Sequence, residues 1–215
     1  MNHNSKVIFV SGIHTDAGKS YATGWLASRI MAQGRSVITQ KFIQTGNSGL
    51  SEDIAVHRRL MGTEFHARDL DHTTAPLIFS YPCSPQLAAE IDGRDIDLTE
   101  VDRATSILAA EFDTVLVEGA GGLMVPVTDD FFTIDYVASR RLPLCLVTNG
   151  SLGSINHTVL SLEAVKARGI TLDSVIYNQF FDSQDQRIAA DTVGFIGRYL
   201  DRHFPGTPLL LCPPM

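Results

Sequence analysis

The chain has 215 residues, 44% of them hydrophobic and 19% charged, which excludes a disordered or fibrous chain and leaves length for one globular domain, residues 1–215, with a sizeable core. Seventeen lysines and arginines against 24 acidic residues leave a formal charge of −7, so a broad basic face for nucleic acid or an anionic membrane is not expected, and any polyanion must be gripped locally. Apolar runs such as Val7 to Val10 and Leu142 to Val147 fall far short of the ~18 residues that span a bilayer.

One lysine, Lys6, precedes the first apolar run, but no small-residue cleavage site follows, so a secretory signal is not expected. Strands are predicted at Val7 to Ser11, Ser36 to Gln40, Thr114 to Glu118, Leu144 to Thr148, Ser174 to Asn178 and Leu209 to Leu211. Helical periodicity fills Lys19 to Gln33, Leu98 to Glu111, Ile155 to Ala167 and Arg187 to Phe204, with Gly34 and Gly169 positioned to end helices. Apolar runs alternating with helical segments are the pattern of parallel strands joined by crossover helices, so the chain reads as α/β. Period-2 alternation is weak, as in strands buried on both faces. Between Asn47 and Asp97 the pattern loosens around Pro76, Pro82, Pro85 and one helix at Asp53 to Met61, which reads as an elaborated crossover. Three widely separated cysteines, Cys83, Cys145 and Cys212, suggest neither a disulfide framework nor a zinc cluster and fit a reducing cytoplasm.

The first strand runs into Gly12-Ile13-His14-Thr15-Asp16-Ala17-Gly18-Lys19-Ser20 and then directly into a helix. Phosphate binding needs that order: a turn aims backbone N–H groups inward, the helix start adds its positive dipole end, the lysine reaches the outer phosphates and the hydroxyl holds Mg²⁺. Five residues separate the two glycines where the generic motif has four. Only four residues are lysine, Lys6, Lys19, Lys41 and Lys166, against thirteen arginines, and Lys19 and Lys41 follow the first and second strands, at the end of the sheet where α/β ligands bind. Taken alone, Lys41 also reads as a solvated loop charge.

The strand from Thr114 ends in Glu118-Gly119-Ala120-Gly121-Gly122, an acidic group followed by glycines that let backbone approach phosphates closely. A flexible strand exit with Glu118 in solvent is the alternative, disfavoured because the other apolar-to-polar transitions use no such glycine run. Asp53, in Ser51-Glu52-Asp53, is a second carboxylate for the metal, or only a helix cap.

Together, Gly12-x-x-Thr15-x-x-Gly18-Lys19-Ser20, Lys41 with Thr45-Gly46, Asp53, the Glu118 to Gly122 block and Gly153-x-Ile155-Asn156-His157 closely resemble the dethiobiotin synthetase family, in order from the first strand to Asn178. The five-residue glycine spacing is normal for that family. The resemblance implies a P-loop NTPase fold, three-layer α/β/α with a mostly parallel sheet, in a homodimer. It implies ring closure of 7,8-diaminopelargonate with CO₂ or bicarbonate at the expense of ATP, with Mg²⁺ as cofactor. By resemblance, one amine takes up CO₂ as a carbamate, ATP phosphorylates it, and the second amine closes the ring.

On that footing Lys19 and Lys41 are the catalytic cations, and Ser20, Asp53 and Glu118 the metal ligands. The nucleotide set comprises Thr15, Asp16, Ala17, Gly18, Lys19, Ser20 and Tyr21, with Asp53, Glu118, Gly119, Ala120 and Gly121. Asn178 and Gln179 are implied at the base, Asn178 being also explicable as a capped strand end, and Pro213 and Pro214 supply backbone contacts beside it. Thr45 is implied to touch the diamine, or else merely shapes a turn. The helix start at Gly153, Ser154, Ile155 and Asn156 is implied to take the substrate's distant carboxylate, in a pocket shared across the dimer. His14 and His157 receive no catalytic role.

The departures are Ile13-His14 in place of a more polar pair, Phe42 where the family usually has proline, an end at Met215 before the tail of longer members, and no clear tyrosine near Ala190. They bear on base selectivity and on the contact with the neighbouring subunit. A partition or septum-site switch ATPase is the main rival, but such proteins carry a second lysine near the start of the loop, and the position five before Lys19 is His14. Amidotransferase-type amide synthetases usually bring further domains or metal-delivery cysteines. A nucleotide-binding scaffold without catalysis is the remaining alternative. No nucleic-acid or membrane partner is expected.

Overall fold

A computed structural model describes residues 5–183 and 185–214; Met215 lies outside them. The chain opens with β1 (Lys6–Gly12), α1 (Lys19–Ala32), β2 (Val37–Lys41) and the short β3 (Gln44–Thr45). The long crossover follows, with α2 (Glu52–Met61), α3 (Ala67–Leu70), β4 (Ile78–Phe79), α4 (Pro85–Asp92) and α5 (Leu98–Glu111). Next come β5 (Thr114–Gly122), β6 (Pro126–Thr128), β7 (Phe131–Phe132), α6 (Thr133–Ser139), β8 (Leu144–Asn149), α7 (Ser154–Ala167), β9 (Leu172–Asn178), a 3-10 turn (Gln179–Phe181), α8 (Gln186–His203) and β10 (Leu209–Cys212).

Six parallel strands form the main sheet in the order β10-β9-β8-β1-β5-β2. From β1 the chain moves one way to β2, and every later step to β5, β8, β9 and β10 moves back the other way. Right-handed crossovers therefore put helices on both faces, the expected three-layer arrangement, and the loop after β1 lies where the strand order reverses. On one face α1 packs on α2; on the other, Tyr136 of α6 donates to Asp102 of α5 at 2.9 Å. The strands are buried along much of their length, with every residue of the inner β8 and even of the edge strand β2 buried. That is why their sequences read as apolar runs without alternation.

Several expected boundaries move. Lys41 is the last residue of β2 instead of following it, and β5 continues through the whole glycine block to Gly122. The glycines extend the strand because β1 keeps pairing with it, Gly12 opposite Gly122, across a register shift after Val10. The elaborated crossover holds α3, β4 and α4 besides the expected helix. That helix is capped by Ser51, whose hydroxyl accepts from Ile54 N–H at 3.2 Å, so Asp53 is not needed as a cap. The short hairpin β6–β7 and α6 carry no strong period of their own. Phe42 is fully buried, with Phe9 and Tyr136 rings 5.4 and 4.7 Å away, and anchors the end of β2 just after Lys41.

Candidate active site

The turn between β1 and α1 brings the loop to the carboxyl edge of the sheet. Gly18 caps α1 with φ 81°, a conformation side chains disfavour, and a Cβ there would meet Asn178 Nδ2 at 2.2 Å. Asn178 thus lies against the loop, while its Oδ1 accepts from Phe180 N–H at 3.1 Å and caps the 3-10 turn. Lys19 curls back over the loop, donating to the carbonyls of Thr15 (2.9 Å) and His14 (3.3 Å). Burial pushes its pKa down to about 8, against the pull of Glu118 and with the help of Lys41.

Four chain segments meet at the foot of the loop. Ser20 Oγ lies 2.9 Å from both Asp53 Oδ1 and Glu118 Oε1. A hydroxyl has one hydrogen, so two carboxylate oxygens converge on a single donor. Lys41 Nζ donates to Glu118 Oε1 at 2.9 Å, to the Gly119 carbonyl at 3.2 Å and to Asp53 Oδ2. Glu118 has no exposed side-chain surface, which overturns the solvent-exposed reading. Burial alone would raise its pKa; Lys41 and His57 instead hold it well below the carboxylate range. Burial would likewise lower the Lys41 pKa, but Glu118 and Asp53 raise it, so both partners stay ionised.

These groups line a cleft of ≈ 560 Å³, together with Thr15, Asp16, Gly18, Tyr21, Thr45, Ala120 and Gly121, a volume within the ~300–1,000 Å³ of small-molecule sites. Ala17 is buried beneath the loop, and Gly119 contributes its carbonyl from below. Gly153, Ser154 and Ile155 line a neighbouring cleft of ≈ 730 Å³ that, among the described residues, shares only Phe181 with the first. Gly153 caps α7 with φ 89°, leaving the first N–H groups without a side-chain cap, and Asn156 follows in the first turn. Pro213 reaches the loop side through its carbonyl, which accepts from Tyr21 Oη at 3.2 Å, with Pro214 exposed beside it; Gln179 is half-buried next to Asn178. His14 and His157 meet edge to face with centroids 5.6 Å apart.

Sequence reasoning missed Ile43, Gln44 and Phe181 in the cleft wall, and missed His57, whose Nε2 lies 2.6 Å from Glu118 Oε2. The available signal was spacing: His57 lies four residues after Asp53 on a predicted helix and shares its face. Among the described residues no group of three or more His, Cys, Asp or Glu side chains could hold a metal. The two carboxylates and hydroxyl at Ser20 are a donor set suited to Mg²⁺, which prefers oxygen, takes one or two carboxylates and keeps waters or phosphate oxygens for its other positions.

A family model described as an AAA domain matches residues 6–204. Among solved structures, a ParA family ATPase from Chlorobium tepidum TLS is 18% identical with a TM-score of 0.54, covering 98% of this chain and 85% of that one. The signal recognition particle receptor FtsY from Elizabethkingia anophelis is 15% identical with a TM-score of 0.52, covering 96% of this chain and 57% of that one. At such identities the likeness establishes the P-loop α/β fold alone. Sequence relatives are far nearer. The chain is 49% identical over 206 residues to ATP-dependent dethiobiotin synthetase BioD 2 of Haemophilus ducreyi, covering 96% of this chain and 97% of that one. It is 46% identical over 203 residues to the protein of the same name from Pasteurella multocida, covering 94% and 95%. With the loop, the two lysines and the two carboxylates in one cleft, and relatives this similar along nearly their whole length, the chain belongs to the ATP-dependent dethiobiotin synthetase family.

Proposed function

We infer that this protein closes the ureido ring of dethiobiotin from 7,8-diaminopelargonate, CO₂ and ATP, and that the cleft at the foot of the loop is where it does so. The observation that carries the reading is the convergence of Lys41 Nζ, Ser20 Oγ and the Asp53 and Glu118 carboxylates beside a phosphate-type loop. One amine of the diamine adds to CO₂ and loses a proton, giving a carbamate. A carbamate oxygen attacks the γ-phosphorus and ADP leaves; the second amine then attacks the carbonyl carbon, expels phosphate and loses its proton. None of these steps needs a protein nucleophile, so position and charge neutralisation are what the residues must supply.

Lys19 and the N–H groups at the start of α1 hold the outer phosphates. Lys41, at the end of a buried strand and backed by Phe42, presents a fixed positive charge where the carbamate and γ-phosphate oxygens gather negative charge. Thr45 and Gln44 form the wall on the diamine side, and Asn178, Gln179 and the Pro213-Pro214 backbone the base side. Ser20, Asp53 and Glu118 would hold Mg²⁺, which would supply positive charge to offset that of the phosphates. The charge balance supports a cation arriving with the nucleotide: the cleft is lined by two lysines, Lys19 and Lys41, against three carboxylates, Asp16, Asp53 and Glu118, so no surplus of positive charge waits for a triphosphate.

The helix start at Gly153 to Asn156 takes the carboxylate of the diamine in this reading. It opens on a separate cleft, which two chains paired as a homodimer would join to the first across their interface, with exposed Leu152 and Ile188 beside it. Among the described residues no helix is long and apolar enough to cross a membrane; a cytoplasmic location and a single domain complete the reading. Purified protein given the diamine, bicarbonate, Mg²⁺ and ATP should form cyclic urea and phosphate in equal amounts. Phosphate release indifferent to the diamine, or dependent on a protein or DNA partner, would overturn it in favour of a switch ATPase.

A further inference from the structure

Helix α2 presents two groups to the cluster, Asp53 and, one turn later, His57. The His57 side chain is fully buried and its Nε2 lies 2.6 Å from Oε2 of Glu118, whose other oxygen takes Ser20 and Lys41. Nε2 is the ring nitrogen with a partner, so it donates the hydrogen to the carboxylate; Nδ1 is buried with no partner among the described residues. A buried polar atom left unpaired is destabilising, and leucine would fill the position without it. What leucine would lose is the bond to Oε2.

The opposing helix is built for this approach. Position 24 of α1 is glycine, in a helix interior where glycine is disfavoured, and a Cβ there would meet Leu60 Cβ at 2.9 Å and the His57 backbone at 3.1 Å. Gly24 lets the α2 backbone come close enough for the imidazole to reach Glu118 in the middle of β5.

We propose that His57 is a positioning residue: by tying down Oε2 it fixes the Glu118 carboxylate with Oε1 turned toward Ser20 and the cation. Groups that orient a metal-binding carboxylate in this way commonly account for 10–100-fold in metal affinity. The inference rests on the reading of Glu118 as a cation ligand, and the test separates the two. Binding of Mn²⁺ to the enzyme–ADP complex, followed by electron paramagnetic resonance of the free ion, should weaken about tenfold or more in His57→Leu. ADP binding in EDTA should stay unchanged, and His57→Gln, which restores an N–H at similar reach, should recover most of the Mn²⁺ affinity. Glu118→Gln is the control. If it leaves Mn²⁺ binding intact, the ligand reading fails and the proposal with it; if it weakens binding while a folded His57→Leu does not, the positioning role alone is overturned. Should His57→Leu not fold, ¹⁵N-labelled wild type decides: the His57 ring N–H resonance must shift along the Mg²⁺ titration of the ADP complex, and a resonance that stays put overturns the proposal.

Discussion

Two neighbouring residues of α2 enter two buried ionic clusters that look alike in composition and differ in closure. Arg58 donates through Nε and Nη2 to the two oxygens of Asp69, both at 2.8 Å, and through Nη1 to Thr39 Oγ1 at 3.0 Å. Asp69 also accepts from His66 N–H and Thr74 Oγ, both at 2.7 Å, and joins α3 to α2 and β2. That cluster is charge-matched, and although Arg58 and His66 also line a cleft of ≈ 430 Å³, both carboxylate oxygens of Asp69 and all three guanidinium nitrogens of Arg58 already have partners. His57, one residue earlier, belongs to a cluster in which Asp53 is a quarter exposed, Lys19 donates to loop carbonyls, and one buried ring nitrogen has no partner among the described residues. A closed set of charges can hold a fold together but has no valence left for a substrate; an open set in a cleft keeps some. The physical difference is satisfaction, not residue type.

The comparison breaks most sharply at Lys41. Lys41→Ala should cut ring closure about 10³-fold, on the order of 4 kcal/mol of transition-state stabilisation, while nucleotide binding remains measurable well below the unfolding temperature. Unchanged turnover would put Lys41 with the structural charges.

Asp69→Ala should do the reverse. Leaving Arg58 buried without its carboxylate should cost about 3–5 kcal/mol in denaturant unfolding, with turnover per folded molecule close to wild type. Burial works against ionisation of Asp69, yet its bonds to Arg58 and Thr74 hold its pKa below the ordinary 3.8. The folded state therefore binds fewer protons than the unfolded one between those two values, and the stabilisation is present above pH 3.8 and lost as pH falls below it. The stability gap between wild type and Asp69→Ala should accordingly narrow on acidification below that point; a gap that widens would contradict the pairing.

The smallest effect should come from Thr39→Val, which removes one acceptor from Arg58 and leaves the bidentate pair. A loss of about 1–2 kcal/mol is expected with turnover unaltered. A Thr39→Val enzyme that loses turnover at full stability would mean the two clusters are coupled through α2.

Much of the site was legible because its signals are local. Gly18-Lys19-Ser20 stands between a strand and a helix, and Glu118 ends an apolar run. Lys41 was conspicuous as one of only four lysines. The neighbour Arg58, one residue from His57, shows why the rest was not: nothing in Val56-His57-Arg58-Arg59 tells which polar side chain turns to the cleft, which to α3 and which to water. His57 could have been picked out by its helical spacing from Asp53 only if the direction of that face had been known.

The sequence by itself settled the order of the six main-sheet strands and of helices α1, α2, α5, α7 and α8, the phosphate loop and the family, because hydrophobic period and motif spacing act over a few residues. The tertiary structure decided that Ser20 meets a carboxylate 98 positions away and that His57 meets the same one across 61. It also decided that β5 keeps pairing through its glycines and that one ion cluster closes while its neighbour opens. Those outcomes depend on the strand order of the sheet and on how closely α1 lets α2 approach, and neither distance is encoded within any one segment.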